Sequence, residues 1–587
     1  MKDQLRSILH TSWNEPRHFF FWLAMLSVCC FAAVALGLAL IGPNLLLGFA
    51  ALGSILCFVL SVPAFILAWI PPVRRLFEWL LHRRWLALGC VVSLIALFYA
   101  VENWRGRQAW QNYKKTWEAK GERFDLASYI PPPVPADQNF FETPLWSDLH
   151  FTDTNGTILW SSTNHGKAVL FDAFGPDRGK APSEGGWPLG RRVDLAAWQA
   201  YYRSTNNLFA APGGTPTNYF PVAKEPQTPA ADVLLALSKF EGNRQLLIAT
   251  AARPKARFWA KYDSGFAMLL PHLSRARAIS QYLSLHAVAA LRDGDRNTAL
   301  EDVKLMFRLL AAIRQEPTLI SQLVRMAVLK SALQPVWEGL ADHLWRDADV
   351  SVIQDELGKL DFLADYHLAM RGERGCELWA MNYLRKAGLQ GLVEMGLSGG
   401  SAGQTDWGKS LGQAVFRLIP SGWFDQNKLS ICRLQDQYLI SLVPPGDRRL
   451  APPEVFRAAD SALWQRWRPY NMFGRMLLPA LGRAAERFAQ AQTTANLARV
   501  ACALERYRLA NGQFPESLRA LVPKFIEQVP PDVMNGQPLK YRRTDDGQFV
   551  LYSVGRDRTD DGGKIELTKG GSLDWRHGDW VWRYTAE

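Results

Sequence analysis

From Phe19 to Ile70 the chain carries no Lys, Arg, Asp, Glu or His, and no other feature constrains its folding as strongly. About 20 apolar residues cross a hydrocarbon core ~30 Å thick, so this stretch has the length for two helices. Gly42-Pro43-Asn44 supplies a turn, which predicts spans over 19–41 and 45–70. A third, shorter run, 85–101, follows Arg83-Arg84 and ends at Glu102. Two long runs with no clean cleavage site after them read as membrane spans rather than as a secretory signal. Lys2, Arg6 and Arg17 precede the first span, and Arg74, Arg75, Arg83 and Arg84 lie between the second and third. The loop between the first two is uncharged. The positive-inside rule then places the N-terminus and the arginine-rich loop in the cytoplasm and everything after Val101 across the membrane. The expected location is the cytoplasmic (inner) membrane, multi-pass, with the C-terminal part periplasmic and the lipid bilayer as one partner.

The chain is 48% hydrophobic and 12% aromatic with 23 tryptophans, which excludes a disordered or low-complexity polypeptide. Seven Lys/Arg and three Asp/Glu in residues 1–101 give +4 there, and the remaining +8 of the net +12 is spread thinly. No basic block is interleaved with aromatics, so no nucleic-acid partner is expected. Cys29, Cys30, Cys57 and Cys90 fall in the spans. Cys376, Cys432 and Cys502 lie outside them, enough for one disulfide at most, and no CxxC pair exists.

Beyond the anchor (1–101), residues 102–140 read as a juxtamembrane helix and a stiff spacer, Pro131-Pro132-Pro133-Val134-Pro135. Residues 141–228 alternate aromatics with Gly, Pro, Asn and Thr, a loop- and strand-rich pattern whose best strand is Ala168–Phe174. Residues 229–482 turn helical, with candidates at Asp232–Ala252, Ser274–Arg292, Thr318–Asp342 (bent at Pro335), Ser351–Leu360 and Phe362–Ala387. Asp293-Gly294-Asp295 breaks the second of these, and Thr298 with Glu301 forms a capping box for a following helix. Leu300, Val303, Met306, Leu310 and Ile313 give that helix one apolar stripe. The turn around Ala290–Ala299 resembles that of a tetratricopeptide repeat, but no second copy follows at the repeat period, so a bundle of stacked helix pairs is the safer expectation. Gly388–Gly412 reads as a flexible loop.

Residues 483–587 form an α+β module. Arg483–Ala510 is a long helix with Leu497, Val500, Ala501 and Leu504 on one face, stopped by Asn511-Gly512. Phe514-Pro515-Glu516-Ser517 restarts a short helix. Leu539–Arg543 and Phe549–Ser553 flank Asp545-Asp546-Gly547, a hairpin signal, and Lys564–Thr568 and Trp580–Tyr584 add strands. The predicted class is therefore membrane-anchored and mainly α, with three N-terminal transmembrane helices, a bundle or repeat-like extracytoplasmic domain, and a C-terminal module with a small antiparallel sheet.

The run Glu505 to Leu518 (E-R-Y-R-L-A-N-G-Q-F-P-E-S-L) and the later Tyr552-Ser553-Val554-Gly555-Arg556-Asp557 with Asp560-Asp561-Gly562-Gly563 resemble the major pseudopilin of type II secretion over roughly residues 495–584. The whole chain, including the ending Gly578-Asp579-Trp580-Val581-Trp582-Arg583-Tyr584, resembles a family of membrane proteins of Verrucomicrobia and Planctomycetes. That likeness implies a location and an architecture but no activity. The pseudopilin likeness implies calcium, with Asp557, Asp560 and Asp561 as ligands together with the Ser553 carbonyl; hard oxygen donors in a glycine-rich loop suit that ion. The alternative is a metal-free acidic turn. The helix before residue 510 lacks a prepilin-peptidase signature and is internal, so assembly into a pilus by the usual route is not expected.

Catalytic signals are weak. Gly396-Leu397-Ser398-Gly399-Gly400 has the letters of a nucleophile elbow without the strand before it or the helix after it. Gly175–Ala181 approaches a phosphate loop but misses its spacing and its Ser/Thr. His286, on an apolar helix, reads as a hydrogen-bonded core residue. Arg371, Glu373, Arg374 and Glu377, with His367 nearby, are the best enzymatic candidate, since mixed charges can raise a carboxyl for general-acid work; the competing reading is an ion-pair network. The expected role is a non-catalytic interaction or scaffold protein with envelope protein partners. The alternatives are a periplasmic hydrolase using Glu373 and Glu377, and an accessory to a secretion or pilus-like machine.

Overall fold

The structure, a computed structural model, describes residues 84–147, 171–175, 178–204, 217–395, 416–444, 449–464, 469–478 and 481–584, with isolated positions at 21, 25, 71, 72, 75, 149, 151, 152, 158, 159, 208, 209 and 446. It is mainly helical, with a small antiparallel sheet near the C-terminus. The chain divides into two compact units, residues 1–111 with 384–425, and residues 112–383 with 426–587.

In the first unit, the expected spans 19–41 and 45–70 lie outside the described residues apart from Phe21 and Met25. The third run belongs to α1, Arg84–Glu118, which contains the one helix among the described residues long and apolar enough to cross a membrane. Its apolar residues face outward: Leu94, Ile95, Leu97 and Phe98 are all exposed. The helix continues past 101 into the residues read as a juxtamembrane helix, where Glu102 and Arg105 form an i,i+3 pair at 3.0 Å. Glu102 also accepts from the Trp423 indole at 2.9 Å, and Asn103 accepts from the Gly422 amide at 2.9 Å.

The second unit is built on a helical layer. The short helices α2 (Leu195–Arg203), α3 (Pro229–Leu237) and α4 (Glu241–Ala251) lead into α5 (Pro271–Asp293), α6 (Arg296–Ile313), α7 (Leu319–Ala341), α8 (Asp347–Gly358) and α9 (Phe362–Ala387). Helices α5, α6 and α7 pack on one another, and α5 is buried almost all round from Ile279 to Leu291. Gly294, at φ 90°, closes α5 in the left-handed conformation that glycine adopts without a Cβ penalty. Asp295, not Thr298, then caps α6: its carboxylate accepts from the Thr298 amide at 3.1 Å. The reason is local. Gly294 ends one helix so abruptly that the next begins on the adjacent acceptor. Val303, Met306, Leu310 and Ile313 form the buried stripe of α6. Thr318 caps α7, which runs on through Pro335. The predicted helix Asp232–Ala252 is broken at Ser238–Phe240 into α3 and α4.

One further expectation meets a different local solution. Ala168–Phe174 does not extend as a strand where it is described: Phe171–Gly175 turns, and the hydroxyls of Tyr202 (2.7 Å) and Tyr201 satisfy the Ala173 and Phe174 carbonyls that a ladder would have used. Beyond the proline spacer the chain is fastened to the body, with the Phe140 amide donating to the Lys255 carbonyl at 2.8 Å.

Three further helices follow: α10 (Ser421–Leu434), α11 (Pro453–Trp464) and α12 (Ala484–Asn511). Leu497, Val500, Ala501 and Leu504 of α12 are buried, and Gly512 ends it at φ 82°. The helix packs between α7, α8 and the sheet. Strands β1 (Lys540–Arg543) and β2 (Phe549–Ser553) form the expected hairpin, and β5 (Trp580–Trp582) adds to β2, in the order β1-β2-β5. A separate ribbon pairs β3 (Ile565–Leu567) with β4 (Leu573–Gly578), a strand not anticipated from the sequence. The Trp337 indole of α7 donates to the Arg583 carbonyl at 2.8 Å, so the chain's last strand and the helical layer share one core.

Candidate functional site

The charged cluster on α9 is an ion-pair network at its cationic end. Arg371 donates to Glu122 at 2.7 Å, and Arg374, fully buried, bridges Glu122 and Asp436. Burial pushes Glu122 up, but hydrogen bonds from Arg371 and Arg374 outweigh it and hold the carboxyl below its usual range. The two acids differ from this. Glu373 accepts from the Leu319 amide at 2.7 Å, and Glu377 accepts from the Gln435 amide nitrogen at 2.6 Å. Burial raises both carboxyls, Glu377 most, with the Glu373 charge adding to it. His367 is pushed down by burial and by Arg371. A neutral Glu377 is a competent proton donor in principle, but it is only 1% exposed. Proton chemistry needs contact with the reacting atoms, and neither groove described below reaches it.

An open groove lies elsewhere, between α7, α12 and β4, with a volume of about 440 Å3. Its floor is apolar, from Leu323, Met326 and Ala327 on α7 and Ala491 on α12, and Trp187 and Trp575 form its walls. Trp187 is fixed from behind by Trp582, ring centres 5.1 Å apart. Lys330 and Arg487 stand exposed at its edge, and no carboxylate lines it. An apolar cleft with two cations and no anion suits an apolar group flanked by negative charge.

The three aspartates named for calcium sit in the loop between β2 and β3, each engaged with nearby groups. Asp557 accepts from the Thr559 and Gly578 amides, both at 3.1 Å. Asp560 accepts from the Tyr552 hydroxyl at 3.0 Å, and the Lys540 ammonium holds its carboxyl below the ordinary range. The Asp561 amide donates to a residue the sequence reading left out: Asp579, whose Oδ2 also accepts from Gly563 at 2.7 Å. Asp579 is 1% exposed, its Oδ1 is buried without a partner, and burial together with Asp561 and Asp560 raises it to about 6. Among the described residues no group of three or more His, Cys, Asp or Glu is arranged to hold a metal ion.

Ser398 lies outside the described residues, as do Pro176 and Asp177 of the glycine-bounded stretch; Arg178–Lys180 is a short 3-10 turn. His286 is buried, stacks on Tyr282 and shares a hydrogen bond with Asp302 at 2.6 Å. Cys376, Cys432 and Cys502 are free and buried. Sequence reasoning missed Lys330, Arg487 and Trp575, which come together only through tertiary packing, and Asp579, whose one local signal is its place in Gly578-Asp579-Trp580. Comparison with protein-family models, with curated proteins and with solved structures finds no match to this chain.

Proposed function

We propose that this protein is a membrane-anchored, non-catalytic binding protein of the cell envelope, whose groove between α7, α12 and β4 receives an acidic segment of an envelope partner carrying an apolar side chain. The observation that carries this reading is the chemistry of the groove, with an apolar floor, two tryptophan walls, Lys330 and Arg487 at the edge and no lining carboxylate. One apolar side chain buried there contributes about 1.5–3 kcal/mol, enough to matter in a transient complex. In this reading, spans 19–41, 45–70 and 85–101 anchor the protein with the second unit on the periplasmic face. The exposed apolar face of α1 supports at least one span. The hydrolase alternative draws on the raised carboxyls of Glu373 and Glu377, and the burial of Glu377 weighs against it. Calcium enters as a structural ion: the unpartnered Oδ1 of Asp579 beside Asp560 and Asp561 is the observation favouring it.

A photo-crosslinking residue at Leu323, which is exposed, tests the groove in living cells. A discrete adduct from position 323 that is absent from exposed Leu509 on α12 is expected. Equal labelling from both positions rejects the groove. An alkaline phosphatase fused to the C-terminus should be active and a green fluorescent fusion dark; the reverse pattern rejects the periplasmic placement.

A further inference from the structure

A second, smaller pocket of about 200 Å3 lies between the first turn of α11 and the turn that leaves β2. Its lining includes three guanidiniums, Arg457 on α11 and Arg556 and Arg558 on the turn, against the single carboxylate of Glu486. Arg556 is compensated by Glu486 at 2.6 Å. Arg457 reaches Glu454 at 3.1 Å, an exposed i,i+3 pair that water screens. Arg558 pairs with no carboxylate among the described residues. Its Nη2 donates instead to the carbonyls of Leu450 (3.1 Å) and Ala451 (2.7 Å).

The backbone holds Arg558 in place at a cost. Its φ is 60°, a left-handed conformation that disfavours any residue with a Cβ. The turn before it is closely packed and hydrogen-bonded. A Cβ on Gly555 would lie 2.2 Å from the Gly578 carbonyl oxygen, and Asp532 accepts from both the Ser553 hydroxyl (2.8 Å) and the Val554 amide (3.0 Å). Burial pushes the Arg558 guanidinium down, so its charge is poorly solvated where it sits. A strained, partly desolvated cation at the edge of a cavity, with Glu454 and Asp532 near enough to act on it but neither bonded to it, is a feature from which a ligand site can be argued. Phe456 and Met534 give the same pocket an apolar side.

We propose that this pocket binds a small organic carboxylate bearing one aromatic or branched apolar group, the acid set against Arg457 and Arg558 and the apolar part against Phe456 and Met534. Size agrees with this. A cavity of about 150 Å3 holds a benzene ring, so the space here admits one such group with its carboxylate and little more. A free acid and the C-terminal residue of a peptide present the same chemistry. The site is separate from the groove of α7 and α12, and it stands or falls independently of it.

Titration calorimetry on the full-length protein in detergent tests the proposal with four probes: N-acetylphenylalanine, its carboxamide, a tripeptide ending in phenylalanine, and inorganic phosphate. Saturable binding of the acid is expected, with the carboxamide and phosphate at least tenfold weaker. Arg457→Gln and Phe456→Ala should each weaken the acid about tenfold while leaving the melting temperature at the wild-type value. A tripeptide that binds more tightly than the free acid assigns the source to a chain end, and the reverse assigns it to a soluble small molecule. Absence of binding by the acid and the tripeptide, equal binding of acid and carboxamide, phosphate as tight as the acid, or wild-type affinity in both variants overturns the proposal.

Discussion

The α9 network and the aspartate loop beyond β2 both take charge out of water, and they neutralise it by different means. On α9 the cation Arg374 is fully buried between two carboxylates, Glu122 and Asp436, drawn from residues far away in the chain. In the loop the anion Asp579 is 1% exposed and, among the described residues, is bonded to no cation, only to the amides of Asp561 and Gly563. Opposite charges stabilise the first site strongly but make it costly to break. Backbone dipoles stabilise the second more weakly, which leaves Asp579 raised to about 6 and one oxygen without a partner. Paired ions serve structure even though Arg374 Nε is itself buried without a partner; a buried anion with no cation bonded to it among the described residues is open to a ligand or a proton.

Removing the α9 cation is the strongest way to break that comparison. Arg374→Ala removes the cation shared by Glu122, which keeps Arg371, and Asp436, which keeps the Tyr113 hydroxyl; removing one partner of a buried ion pair costs about 3–5 kcal/mol, and the lower end is expected here. Chemical denaturation of the purified protein would show it. A loss below about 1 kcal/mol would mean that water reaches the site, against its full burial.

Glu377, one turn further along α9, tests the same contrast through pH. Its folded-state carboxyl is raised by burial, so its contribution to stability is complete below the ordinary carboxyl value of 4.5 and is lost as pH rises through the folded value. Glu377→Gln cannot ionise, keeps an oxygen for the Gln435 amide, and brings a donor within range of the Gln435 Oε1, which is buried without a partner. The variant should therefore melt higher than wild type at pH 8 and no higher at pH 4. Parallel melting curves across that range would show that Glu377 is not held neutral.

How much of this was legible follows from how local each signal is. The bounds of α9 at Phe362–Ala387 and of β2 at Phe549–Ser553 agree with the sequence reading, because apolar spacing and turn chemistry define them within a few residues. The stop at Gly512 does too, since only a left-handed residue fits there. Strand β4 escaped notice because Asp574, Arg576 and His577 break its apolar alternation and it pairs only with β3. The groove could not be read at all: Trp187, Met326, Arg487 and Trp575 have no relation along the chain and meet only after α7 packs on α12. The Asp557, Asp560 and Asp561 triplet was visible as letters, whereas the burial that singles out Asp579 depends on amides 16 and 18 residues away.

The smallest expected effect separates a proton from a metal at Asp579. Burial and the neighbouring carboxylates raise this group to about 6, so its contribution to stability is full below 3.8 and falls as pH rises through 6. Asp579→Asn retains an acceptor for the Gly563 amide and should flatten that window. Calcium binds the ionised carboxylate, so it would oppose the same loss. At a free concentration ten times Kd, mass action adds about 1.4 kcal/mol. Added calcium should therefore raise the melting temperature of wild type more at pH 7 than at pH 5, a chelator should reverse the rise, and Asp579→Asn should not respond. A pH-dependent melt that ignores chelator would identify Asp579 as a buried acid answering only to protons. The loop would then resemble the pseudopilin in its letters but not in its metal, with the Asp557 and Asp560 carboxylates accepting from the Thr559 and Gly562 amides as turn formers and Asp561 tied in through its own amide.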